Sequence, residues 1–172
     1  EVDMDKDIIK KVVTLAKQYN KKLYGVVSNM SIAVERRDFL KHFDCFICNQ
    51  LEAGMLFMED YADKSPEELR DILSKRVILG KIPAMIVTMG GNGAVYADVN
   101  GEKGICPPQR VRVKDTTGAG DAFCAGVASG LTYGKTLSEA VEIGSRLAAS
   151  VITSSENVCP RFLPEEFGIT LD

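Results

Sequence analysis

Along the chain the spacing of apolar positions switches repeatedly between a helical rhythm and short unbroken runs. Asp5 to Tyr19 sets Ile8, Ile9, Val12, Leu15, Ala16 and Tyr19 at helical spacing with lysines between them, which predicts an amphipathic helix covering a sheet. Lys22 to Val27 then reads as a strand, Ser28-Asn29-Met30-Ser31 as a loop and Ile32 to Leu40 as a short helix. Phe43 to Cys48 is an apolar run of strand length, and Asn49 opens a helix directly after it. Ser65-Pro66-Glu67-Glu68 places a cap, a first-turn proline and a capping-box glutamate ahead of Leu69, Ile72 and Leu73, so a helix starts there and ends at Gly80. Ile82 to Thr88 and Ala94 to Val99 predict strands on either side of a glycine-rich turn, and Asn100-Gly101 marks a hairpin into Glu102 to Cys106.

Two further helices close the pattern. Ala122 to about Tyr133 carries Phe123, Val127 and Leu131 on one stripe, with Ala125, Gly126, Ala128 and Gly130 permitting close backbone approach. Thr136 to Ser150 repeats the spacing with Leu137, Ala140, Val141, Gly144, Leu147 and Ala148. Helices alternating with apolar strands predict a three-layer α/β fold with a mainly parallel sheet, and no linker or repeat divides residues 1–172, so one domain is expected. In such folds ligands sit off the carboxyl ends of the strands, where Asn49, Thr88 and Gly118 fall.

The chemistry concentrates in Lys114-Asp115-Thr116-Thr117-Gly118-Ala119-Gly120-Asp121-Ala122-Phe123. Gly118 and Gly120 flanking Ala119 let the backbone turn and present successive amides to an anion at the positive end of the following helix. Asp121 is out of place beside a phosphate unless it handles a metal or accepts a proton from a nucleophile. The plainer reading is a glycine-rich helix start whose aspartate complements the dipole. A dinucleotide loop fits less well, because its third small position falls on Phe123. Asn49-Gln50-Leu51-Glu52 also has two readings, an amide and a carboxylate over one crevice or a capping box without chemistry. Thr88-Met89-Gly90-Gly91-Asn92-Gly93 reads as a hairpin turn when taken alone.

Composition narrows the partners. With 172 residues, 45% hydrophobic and 26% charged, the chain suffices for a buried core. A net charge of -3 gives no basic footprint for nucleic acid, and the apolar runs are too short to span a bilayer. Five cysteines in no secreted-scaffold pattern predict a reducing, cytoplasmic setting. Cys45-x-x-Cys48 could hold a metal or a redox pair, but it lies inside an apolar run and no second pair completes a ligand set.

Asp115-Thr116-Thr117-Gly118-Ala119-Gly120-Asp121-Ala122-Phe123-Cys124-Ala125-Gly126 resembles the C-terminal signature of the PfkB, or ribokinase-like, carbohydrate kinases. The resemblance implies ATP-dependent phosphorylation of an alcohol group on a sugar or nucleoside, with Asp121 as catalytic base and Gly118, Ala119 and Gly120 as an anion hole. It implies Mg²⁺ handling, through water, by Asn49 and Glu52, phosphate contacts by Thr88, Gly90 and Gly93, and an adenine neighbour at Ser145. Asp115 and Thr117, with Val151 and Ser154, match positions that hold a monovalent cation such as K⁺ in many members, although Glu156-Asn157 departs from that pattern. Met89 to Val99 with Gly101-Glu102-Lys103-Gly104, and Thr153 to Pro160, look most like pseudouridine kinases within the family. Family members are close to twice this length, so the resemblance implies a C-terminal, nucleotide-binding portion without the N-terminal half and lid, inactive by itself. The rival expectation is a nucleotide-binding module without kinase activity. The partner expected is a small molecule, and a homodimer is left open.

Overall fold

The computed structural model of the chain describes residues 5–27, 30–154 and 162–170. They group into two compact units, Glu1–Ile105 and Cys106–Asp172. The first unit begins with α1 (Lys6–Gln18), capped by the Asp5 side chain, which accepts from the Asp7 amide at 2.8 Å. Strand β1 (Tyr24–Val26) follows, then α2 (Met30–Glu35) and a 3-10 turn over Arg37–His42. The single short helix expected over Ile32 to Leu40 is thus two pieces, broken at Arg36, whose guanidinium turns to Asp38 at 2.9 Å and lies 4.0 Å over the Phe39 ring. Next come β2 (Cys45–Asn49), α3 (Gln50–Phe57), α4 (Pro66–Gly80), β3 (Ala84–Thr88), β4 (Ala94–Asp98) and β5 (Lys103–Cys106).

The strands form one sheet in the order β1-β2-β3-β4-β5. β1 and β2 are parallel, β2 and β3 are parallel, and β3 and β4 are antiparallel. Every residue of Cys45–Cys48 and Ala84–Val87 is buried, and since successive side chains alternate between faces, both faces of these strands are shut off from water. One face carries Phe46, Cys48, Met85 and Val87 into a core with Leu56, Leu69, Leu73 and Val77. Cys45 therefore points to the opposite face from Cys48, and the Cys-x-x-Cys pair cannot converge on one metal or close on itself.

Helix α1 departs from its sequence pattern. Only Ile9 and Val13 are buried, at 5% and 7% exposure, while Ile8, Val12, Leu15 and Tyr19 are 39–62% exposed. The stripe that meets the sheet is thus one residue out of step with the fuller apolar stripe. The helix is tied down at its end by Lys17 Nζ, which donates to His42 Nδ1 at 3.1 Å, and the following Lys22 pairs with Asp44 at 2.9 Å.

The second unit is built on α5 (Ala119–Thr132) and α6 (Leu137–Thr153). Thr136 caps α6 in a reciprocal box with Glu139, whose carboxylate accepts from the Thr136 amide at 2.8 Å. The two helices meet through glycines: a Cβ on Gly144 would lie 2.7 Å from the Phe123 carbonyl oxygen, and one on Gly126 would lie 2.7 Å from the Gly144 Cα. Phe123 and Val127 are buried as expected, whereas Leu131 is half-buried and Ala125 exposed. Among the described residues no helix is long and apolar enough to cross a membrane.

Two predictions follow from this packing. Gly144→Ala forces backbone apart and should lower unfolding stability by about 1–3 kcal/mol, whereas Gly91→Ala, with nothing within 4 Å of its Cβ, should stay near wild type in the same urea titration. His42 is held below its ordinary value of 6.5 by burial, then by Lys17 and Lys41, with Asp38 opposing. The unfolded chain therefore takes up that proton first, so its contribution to stability is complete above about pH 6.5 and declines as pH falls toward the depressed folded value. His42→Gln should flatten that part of the curve of melting temperature against pH.

Candidate functional site

The residues expected to carry chemistry fall into two sets, one in each unit. In the first unit, Asn49 ends β2 and faces Thr88 at the end of β3 in register. Asn49 also caps α3: its side-chain oxygen accepts from the Glu52 amide at 2.9 Å, and Glu52 Oε2 accepts from the Asn49 amide at 2.7 Å. The box is realised in full. One oxygen of the half-buried Glu52 is engaged there, and Thr88, opposite Asn49 in register, donates its Oγ1 to the Cys48 carbonyl at 3.5 Å. Oxygen donors of this kind suit a hard cation held through water.

Gln50, inside the same motif, was given no role by sequence. Its Nε2 donates to the Tyr61 carbonyl at 2.5 Å and lies 3.3 Å from that of Ala62, which binds the segment after α3 to the helix start. Glu59 completes the clamp by pairing with Arg76 and accepting from the Tyr61 hydroxyl at 2.9 Å. Burial, then this bond, pushes the Tyr61 hydroxyl up to about 12. No local pattern could announce contacts across eleven or more residues.

Thr88 leads into a tight turn in which the Met89 amide donates to the Gly93 carbonyl at 2.7 Å and the Gly93 amide to the Gly90 carbonyl at 3.1 Å. Gly90 and Gly93 have φ of 54° and 86°. The turn joins two antiparallel strands, as the hairpin reading predicts, and nothing lies within 4 Å of a Cβ built on Gly90 or Gly91. Backbone can therefore be approached closely there.

In the second unit, Asp115 Oδ1 accepts from both the amide and the hydroxyl of Thr117 at 2.9 Å, and the bond from that amide, first, holds its carboxyl below the usual range. Gly118 follows with φ 81° and caps α5 without a side chain. The helix begins at Ala119, three residues ahead of the expected start, so Ala119, Gly120 and Asp121 form its first turn. The sharp turn is therefore made by Gly118 alone: Gly120 is helical, with open space around it. The Ala119 amide donates to Thr116 at 3.2 Å, and the amides of Gly120 and Asp121 meet no acceptor among the described residues. They stand open at the positive helix end, with the exposed Asp121 carboxylate on the same turn. Ser145 is half-buried on α6, and the Cys106 thiol, which burial pushes up against a smaller lowering influence of Ser145, donates to the Pro107 carbonyl at 3.7 Å. Glu156 and Asn157 lie outside the described residues.

Comparison with known proteins adds to this geometry. The model of the pfkB family of carbohydrate kinases matches residues 2–160. Guanosine-inosine kinase of Exiguobacterium acetylicum is 34% identical over 160 residues, covering 91% of this chain and 51% of that protein. Pseudouridine kinase of Escherichia coli K12 is 35% identical over 69 residues, 40% of this chain and 22% of that one. The crystal structure of a probable sugar kinase from Rhizobium etli CFN 42 superposes with a TM-score of 0.75 at 26% identity, over 94% of this chain and 49% of that one. The chain thus spans about half the length of the relatives it matches.

The capping geometry gives a direct expectation. Asn49→Ala removes the acceptor for the Glu52 amide and should cost about 1 kcal/mol of stability, while Asn49→Asp, which keeps an acceptor, should cost less. Urea unfolding of the two variants measures the difference.

Proposed function

As the chain belongs to the pfkB family of carbohydrate kinases, we propose that it serves ATP-dependent transfer of a phosphoryl group to a hydroxyl of a sugar or nucleoside. The observation that carries this reading is the uncapped start of α5, where Gly118 turns the chain, two amides stand open and Asp121 is exposed on the same turn. Phosphoryl transfer needs electrostatic stabilisation of equatorial oxygens and a base for the attacking hydroxyl, and this turn supplies both kinds of group. In the proposed roles Asp121 takes the proton and the Gly118-Ala119-Gly120 segment with the Asp121 amide holds the transferring phosphoryl group. Thr88, Gly90 and Gly93 lie along the nucleotide phosphates, and Ser145 neighbours the base. Mg²⁺, when bound through Asn49 and Glu52, neutralises charge on those phosphates. The donor set and the half-buried Glu52 carboxylate fit such an ion. Asp115 and Thr117 are assigned to a monovalent cation.

For the acceptor we favour a nucleoside, because guanosine-inosine kinase, the relative matched over 91% of this chain, is named for one. A second reading is a nucleotide-binding module without turnover, since apart from Asp121 the roles assigned above concern the nucleotide and cations and none holds the acceptor.

Incubation with ATP, Mg²⁺ and guanosine, inosine, pseudouridine, ribose or fructose, with ADP release as the signal, separates the two. Nucleoside-dependent release supports the kinase; a rise in melting temperature with ATP·Mg²⁺ but no release supports the module. In a chain that turns over, Asp121→Asn should lower kcat by roughly two to four orders of magnitude with nucleotide affinity within a few-fold. Near-normal kcat would reduce Asp121 to a partner of the helix dipole.

A further inference from the structure

A chain of net charge -3 is a poor attractor for a polyanion, and the proposed cradle carries two carboxylates of its own, Asp115 and Asp121. Directly ahead of it, Arg110, Arg112 and Lys114 occupy alternate positions of one short segment, and all three are exposed. Among the described residues the ion-paired cations lie elsewhere, at Lys22, Arg36, Lys64, Arg70, Arg76 and Lys103. The segment starts at Pro107-Pro108, which restrict the backbone, and is fixed at its far end by the Lys114 amide, which donates to the Ile152 carbonyl at 2.7 Å. The three charges are therefore held next to the turn that leads into Gly118. Residues 110–121 hold three cations against two carboxylates, a net charge of +1; without the three they would hold -2.

We infer that Arg110, Arg112 and Lys114 form an electrostatic guide that draws the polyphosphate of a nucleotide toward the start of α5. This rests on the function proposed above and adds to it a group of steering residues distinct from those assigned to contact the nucleotide. The physical consequence is kinetic. A patch of exposed like charge raises the rate of encounter with an oppositely charged ligand and adds little to the lifetime of the complex. The effect is strong when the screening length is about 30 Å, at 0.01 M salt, and largely gone when it is a few Å, near 1 M.

The test is stopped-flow association of a fluorescent ATP analogue with the wild-type chain and with Arg110→Gln/Arg112→Gln/Lys114→Gln, at low and high salt. We expect an association rate lowered on the order of ten-fold in the variant at low salt, the two proteins converging at high salt, with dissociation rate and melting temperature unchanged. The matching fluorescent adenosine, which lacks phosphates, should show no difference between them. Equal association rates at low salt overturn the inference, as does a deficit that persists at high salt or appears in dissociation, which would mark a direct contact. Wild-type chain that binds no nucleotide at either salt overturns the functional reading and the guide together.

Discussion

Each helix start leaves amide donors that must find an acceptor, and the placement of those acceptors organises this chain. Asp5, Asn49, Ser65 and Thr136 close the starts of α1, α3, α4 and α6 with side-chain oxygens. Helix α5 alone among these five begins on a glycine with no side chain to offer. A helix can tolerate such an opening if the rest of it is held firmly. Here the Gly126–Gly144 contact brings the α5 and α6 backbones together and leaves the open end to be defined by Gly118. Stability is concentrated in the middle of the helix and openness at its tip.

The first unit solves a related problem at the ends of parallel strands. Asn49 and Thr88 stand side by side because β2 and β3 run in the same direction and in register, so two polar strand ends reach one edge together. The residues before them are apolar and closed off on both faces. Burial positions the strands, and the polar groups are carried to the edge as a consequence.

Much of this was legible in sequence because the signals were local. Helix starts at Ser65 and Thr136, the hairpin at Asn92-Gly93 and the apolar runs at Phe43 and Ile82 each follow from a few neighbouring residues. The Gly118–Asp121 stretch is legible as chemistry but not as conformation: two flanking glycines suggest a loop, whereas one makes the turn and the other belongs to the helix. The α1 stripe misled because spacing shows which positions share a face and not which of two adjacent faces meets the sheet. Gln50 was invisible for another reason, since its partners lie eleven to fourteen residues away and a glutamine at a helix start carries no distinguishing pattern.

Asn49 holds two offices at once, as the last residue of β2 and as the cap of α3. Were β2 to slide along β3 by a single residue, every side chain of the strand would exchange faces, and Cys48 would occupy the position opposite Thr88 where Asn49 now stands. The capping box, closed between Asn49 and Glu52 of the same chain segment, would travel with the strand, so the movement that turned Phe46 out of the core would also carry the start of α3 away from its place beside Thr88. Because the box fastens α3 to the strand end, misaligned pairing of these two strands fails twice over, in the buried core and at the polar edge.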